Sequence, residues 1–181
     1  MIRFSDIVIS FVLILILSPI LLTVLCINRI YYTKPLFIQR RVGYQMKTFR
    51  LIKFRTMPID TPNAPTHLVK AVNITYWSQF LRSSKIDELP QLFNVLIGNM
   101  SLVGPRPSLV NQVELIARRK QKNIYSIKPG ISGLAQLKFI TMEHPKDLVR
   151  FDSILARNLN LGLYYTIFFR TIMFFCKKKN Y

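Results

Sequence analysis

Cysteine is scarce in this chain: two in 181 residues, Cys26 and Cys176, each in or beside an apolar terminal segment. That argues against a disulfide framework, shows no zinc-like ligand spacing, and fits a reducing compartment. Acids are scarce too, eight against 26 basic residues, for a formal net charge of +18. Such an excess asks for an anionic partner: nucleic acid, anionic lipid or a phosphorylated substrate. No nucleic-acid-binding motif is present, and the phenylalanines and tyrosines lie in apolar runs. Membrane headgroups and diphosphate substrates are therefore the expected partners, and nucleic acid is not. There is no internal repeat and no coiled-coil signal, so oligomeric state stays open. The length suits one compact domain.

What is present begins with an apolar run from Ile7 to Ile27, interrupted by Ser10, Ser18-Pro19 and Thr23. As one straight helix it would cover roughly 30 Å, about one bilayer core. No small-residue cleavage site follows it, which argues against a signal peptide. The residues alone allow one spanning helix or a helix broken at Pro19 that dips in and returns. Neither half, about 18 and 14 Å long, crosses by itself. Only Arg3 precedes the run, whereas Arg29, Lys34, Arg40, Arg41, Lys47, Arg50, Lys53 and Arg55 crowd its far side. Either topology then leaves the main domain in the cytoplasm. The chain divides into a membrane helix over 1–30 and a cytoplasmic or interfacial domain over 31–181.

Phe37 to Met57 reads as a two-stranded ribbon turning near Gly43-Tyr44-Gln45, because apolar and basic residues partly alternate. Arg40, Arg41, Lys53 and Arg55 could face phosphates, though a solvated face is the ordinary fate of any one of them. Pro58 to Pro65, with three prolines, reads as a linker. A helical stripe runs from Leu109 to Lys122, a short amphipathic helix from Pro145 to Arg157, and an aromatic apolar segment from Tyr164 to Cys176. This last segment ends in Lys177-Lys178-Lys179 and is too short to span, which suits a helix lying at the lipid interface.

The acids are concentrated where they matter. Asp87 and Glu88 are the only adjacent acidic pair. Pro90 and the spacing of Leu89, Leu92, Phe93 and Leu96 place a helix start at Asp87 or just before it. Both carboxylates then sit at the positive end of a helix dipole, which favours their charged forms. The plain alternative is that Asp87 or Ser84 is an N-cap. Downstream, Gly104-Pro105-Arg106-Pro107 holds an arginine on a stiff segment, suited to two-pronged phosphate binding. Lys128-Pro-Gly130-Ile-Ser-Gly133 is a glycine-punctuated loop able to bring backbone N–H groups close to a phosphate.

Together these segments resemble the bacterial sugar transferases, the small monotopic phosphoglycosyl transferases. The motifs Pro35 to Gly43, Phe49 to Met57, Lys85 to Pro107 and Lys128 to Gln136 occur in the family's order, and the resemblance runs from about Asp6 to Asp152. It implies a helix-rich α/β domain with a short β-ribbon, bound to the membrane by a re-entrant helix turned back at Ser18-Pro19 and by a C-terminal interfacial helix. It implies transfer of a sugar 1-phosphate from a UDP-sugar to polyprenyl (undecaprenyl) phosphate, releasing UMP. Asp87 would be the nucleophile, Glu88 (with Asp87) would hold Mg2+, and Arg82, Arg106, Lys128 and Gly130 would bind substrate phosphates. The expected location is the cytoplasmic face of a bacterial inner membrane.

The chain departs from the family in three places. Lys138-Phe139-Ile140 stands where Asn-Gly-Arg is usual, so a substrate-binding arginine is missing. Tyr164 takes the place of an acid, and Gly98-Asn99-Met100-Ser101 replaces Gly-Asp-Met-Ser. Altered sugar specificity is the expectation. The alternatives are a weakened or inactive member serving as a membrane scaffold, and a basic membrane- or polyanion-binding protein.

Overall fold

The computed structural model describes residues 1–58 and 75–177. Helix α1 (Ile2–Tyr31) runs through Pro19 without losing its helical assignment. Pro19 has no N–H to give the carbonyl of Leu15, and Ser18 Oγ donates to that carbonyl instead, at 2.8 Å. The expected interruption at Ser18-Pro19 is thus not a gap in the helix. One stripe of α1 is covered by protein: Ile9, Leu13 and Leu17 pack on the main core, and Val24 lies in a second cluster with Phe54 and Leu81. The opposite stripe is bare, with Phe11 52 %, Leu15 58 % and Ile16 66 % exposed. A helix apolar all round but covered on one side only fits membrane association.

Both ends of α1 are tied to the same domain. Arg3 donates to the carbonyls of Val95 and Leu96, the last of helix α3 (Gln91–Leu96), where a cation suits the helix end. The buried Asp6 carboxylate accepts from Ser101 Oγ, the Leu102 N–H and the Tyr164 hydroxyl. At the other end Asn28 donates to the carbonyls of Pro35 and Arg55 and accepts from Trp77 Nε1.

Strands β1 (Leu36–Val42) and β2 (Thr48–Phe54) form the expected ribbon. Their turn needs left-handed backbone at Gln45 and Met46. The register pairs Phe37 with Lys53, Gln39 with Leu51 and Arg41 with Phe49. Opposed residues share a face, so Phe37, Gln39, Arg41 and Lys53 point one way, and the exposed pair Arg40 and Arg50 the other. Two features had no sequence signal. Strand β4 (Ser108–Leu109) joins the ribbon antiparallel to β1, and β3 (Ser101–Val103) pairs parallel with β5 (Gly130–Ser132).

Helix α2 (Tyr76–Ser83) leads to the acidic pair. Helices α4 (Val113–Gln121), α5 (Leu134–Leu137), α6 (Pro145–Asn158) and α7 (Leu161–Lys177) follow the central segment. The core is built from β2, α3, β3 with Met100 just before it, α6 and α7: Leu51, Leu92, Val95, Met100, Leu102, Val103, Leu155, Tyr164 and Ile167. Most of the expected 58–65 linker, and Lys178 and Lys179, lie outside the described residues. The helix-rich α/β architecture with small sheets is as expected from sequence.

Candidate active site

Lys85 leaves α2 in the left-handed conformation, φ 60°, and turns the chain into a tight 3-10 turn over Ile86–Glu88 before Pro90 and α3. The helical turn thus opens one residue ahead of Asp87, close to the expected start. Neither candidate cap is one. Ser84 Oγ donates back to the Phe80 carbonyl. Asp87 is 6 % exposed, and its Oδ1 has no hydrogen-bond partner among the described residues. A buried carboxylate oxygen left unpaired is costly, and a cap is not what it is for.

Glu88 lines a cleft of about 850 Å³, and Asp87 lies beside it without itself forming the wall. Arg106 reaches in from the β3–β4 connection and donates from Nη2 to Glu88 Oε1 at 2.6 Å. From the ribbon come Arg41, held by donating to the Pro107 carbonyl at 3.0 Å, and Lys53, whose Nζ lies 5.3 Å from the centre of the Phe37 ring. The helix end was expected to favour both charged acids, and the structure corrects this for Asp87. Burial, and then the charge of Glu88, push its pKa up to about 6, against the pull of Lys53, Lys85 and Arg106. Burial also works against Glu88, but the Arg106 guanidinium beside it more than offsets that, and Glu88 stays below the usual carboxylate range. Two neighbouring acids whose affinities for protons are driven apart are a mark of a reactive site.

The cleft changes character along its length. Arg41, Lys53, Arg55, Lys85, Glu88 and Arg106 are its charged lining residues. Leu13 and Leu17 of α1, and Phe168, Ile172 and Phe174 of α7, form an apolar wall.

The remaining candidates separate. Arg82 is half-buried on α2 and is not part of the cleft wall. Lys128 is also outside the wall; its Nζ lies near Gly98, where the Arg3 guanidinium packs. The Gly130 N–H donates to the Pro105 carbonyl at 2.9 Å and is not free for a phosphate. Gly130 is needed for close packing instead, since a Cβ there would stand 2.0 Å from the Gly104 nitrogen. From that loop motif Ile131, Ser132 and Gln136 reach the cleft, and neither amide atom of Gln136 has a partner among the described residues.

The departures from the family also sort by place. Phe139 and Ile140 line the cleft, with Phe139 held at φ 57° and packed edge-to-face on Phe174. Tyr164 is no part of the cleft wall; it is fully buried and donates to Asp6. A second acid there would face a carboxylate already present, whereas a phenol supplies the donor that carboxylate accepts. Gly98 to Ser101 is likewise outside the wall.

The family model for bacterial sugar transferases matches residues 1–178. The chain belongs to the bacterial sugar transferase family. It is 34 % identical over 180 residues to a UDP-glucose:undecaprenyl-phosphate glucose-1-phosphate transferase of Klebsiella pneumoniae, covering 94 % of this chain and 39 % of that protein. It is 33 % identical over 178 residues to a UDP-N-acetylgalactosamine-undecaprenyl-phosphate N-acetylgalactosaminephosphotransferase of Aeromonas hydrophila, covering 94 % and 42 %. An uncharacterized sugar transferase of Bacillus subtilis, EpsL, is 38 % identical over 136 residues, covering 75 % and 67 %. This sugar transferase chain therefore spans about two fifths of the length of the first two relatives.

Proposed function

We propose that the protein transfers a sugar 1-phosphate from a UDP-sugar to a polyprenyl phosphate and releases UMP, the first membrane step of a polysaccharide or glycoconjugate. One observation carries this most directly: a buried carboxylate with one oxygen unpaired among the described residues, beside a Glu88–Arg106 pair, at a cleft lined by charged groups and by apolar residues of α1 and α7. The names of the relatives, which act between UDP-sugars and undecaprenyl phosphate, point the same way.

The chemistry follows from the groups present. An Asp87 oxygen attacks the sugar-linked phosphorus, the bond to the bridging oxygen breaks, and UMP leaves with the electron pair. An oxygen of the polyprenyl phosphate then attacks the same phosphorus and displaces the Asp87 carboxylate, restoring it. Lys53, Arg41 and Arg106 face the excess negative charge of the diphosphate. Magnesium binds through one or two carboxylates together with substrate phosphates. Glu88 and the free Oδ1 of Asp87 suit that donor set, and Glu88 with Asp87 would hold the ion. When bound, it neutralises phosphate oxygens that would otherwise repel the attacking carboxylate.

The membrane reading rests on the two ends of α1. Arg3 and Asn28 both bind the one domain, whereas a helix spanning roughly 30 Å of lipid would carry them to opposite faces. This supports a helix that enters and leaves on the cytoplasmic side, leaving the cleft at the lipid surface with α7 beside it.

The scaffold alternative has its own observation, since Phe139 and Ile140 occupy the cleft where the family pattern places an arginine. Purified protein with magnesium, polyprenyl phosphate and a panel of UDP-sugars decides between them. UMP release and a sugar-phosphate label on Asp87 are the expected result. Binding without UMP release from any donor would establish the scaffold, and a label retained in Asp87→Asn would move the nucleophile to Glu88.

A further inference from the structure

Gly104-Pro105-Arg106-Pro107 carries Arg106 into the cleft, yet its two prolines have no N–H with which to anchor it in a sheet. Its carbonyls are held from outside instead. The Pro105 carbonyl accepts from the Gly130 N–H, and that of Pro107 accepts from Arg41. The carbonyl of Arg106 itself accepts from Nη1 of Arg119 on α4, at 2.8 Å. Arg119 is 1 % exposed, and its Nη2 donates to Asp152 Oδ2 on α6 at 2.6 Å, the aspartate being equally buried. Neither residue lines the cleft.

A buried ion pair is weak evidence of a stability role, because a well-packed apolar pair of similar volume often serves as well. An apolar pair could not hold a carbonyl. A lysine could hold one partner, but only the planar fork of a guanidinium reaches a carboxylate and a carbonyl from fixed directions. The contacts form a chain from Asp152 through Arg119 to the Arg106 backbone, and from the Arg106 side chain to Glu88.

We propose that Arg119, braced by Asp152, is a positioning residue for the reaction, fixing the backbone of Arg106 so that its guanidinium meets the acidic pair and substrate phosphate. The proposal rests on the reading of Arg106 as a phosphate-binding group. Arg119 touches neither substrate nor reacting atoms; it acts through Arg106 alone.

The test is Arg119→Lys in the full chain, in detergent, read two ways. Hydrogen exchange should quicken at least about fivefold at the amides of Gly104, Ser108 and Leu109, while the β1–β2 ribbon and α1 keep their rates. In UMP release, kcat should fall about tenfold or more, and the same substitution in an Arg106→Lys background should cost less than about twofold. Unchanged exchange, a uniform acceleration across the chain, or equal losses in the two backgrounds would overturn the proposal. Should Arg119→Lys fail to fold, Asp152→Asn, which leaves the guanidinium in place but loosens its brace, must give the same local exchange pattern. If the parent protein releases no UMP from any donor, the assigned reaction fails, and exchange alone still decides whether Arg119 holds this segment.

Discussion

Replacing the proposed nucleophile should make the protein more stable. At neutral pH Asp87 is charged whether the chain is folded or unfolded, but folding raises its pKa from 3.8 to about 6. The folded state holds that proton more tightly, so keeping Asp87 ionised subtracts from stability. The sign is opposite to that of a salt-bridged acid. The penalty is full above pH 6, shrinks as pH falls, and vanishes below 3.8, where both states are protonated. The rise corresponds to about 3 kcal/mol, and a residue only 6 % exposed is little screened by solvent. Asp87→Asn, which resembles the protonated acid, should therefore raise Tm by about 5–10 °C at pH 7.5 while abolishing UMP release. Trp77, the single tryptophan, reports unfolding by its fluorescence, and melts from pH 4 to 8 should show the two curves converging at the acid end. A variant that melts lower than its parent at pH 7.5, or a gap that ignores pH, refutes the reasoning. The same titration predicts that kcat/KM declines as pH falls through about 6.

Arg106→Lys keeps a positive charge but loses the two-pronged donor, and should cost about 10- to 100-fold in kcat/KM; a loss of twofold or less would make Arg106 peripheral. Glu88→Gln should lower the rate and also weaken the dependence on magnesium, and an unchanged magnesium titration would remove Glu88 as a ligand. For topology, a cysteine at position 2 should resist membrane-impermeant thiol reagents applied from outside, and become reactive when Ser18→Leu and Pro19→Leu are combined. Labelling without those changes would show a spanning helix.

The sequence was legible wherever a period was long enough to read. The β1–β2 ribbon, α4, α6 and α7 all lie close to where alternation or helical stripes put them. Strands β3, β4 and β5 have two or three residues each and cannot display a period. Strands β3 and β5 meet because glycine at positions 104 and 130 lets two backbones approach, and β4 adds to the edge of β1. Lys53 and Arg41 were visible as ribbon cations, but which face they took depended on register. Counting outward from the turn at Gly43 would have set them apart from Arg40 and Arg50. Asp6 and Asp152 were harder still, because each is paired with a group more than thirty residues away. The loop motif Lys128 to Gln136 pointed to the correct neighbourhood through the wrong atoms, since its glycine is consumed by packing and its far end reaches the cleft.

The ties at the start of α1 set an order on how the protein is made. Asp6 finds its donors at Ser101, Leu102 and Tyr164, the last separated from it by 158 positions. During synthesis the apolar helix emerges long before any of them, with Asp6 and Arg3 still lacking their partners. Closing so long a loop costs chain entropy that local contacts cannot offset early. A ribosome stalled ahead of Tyr164 would leave a nascent chain in which α1 is not yet latched by that hydroxyl.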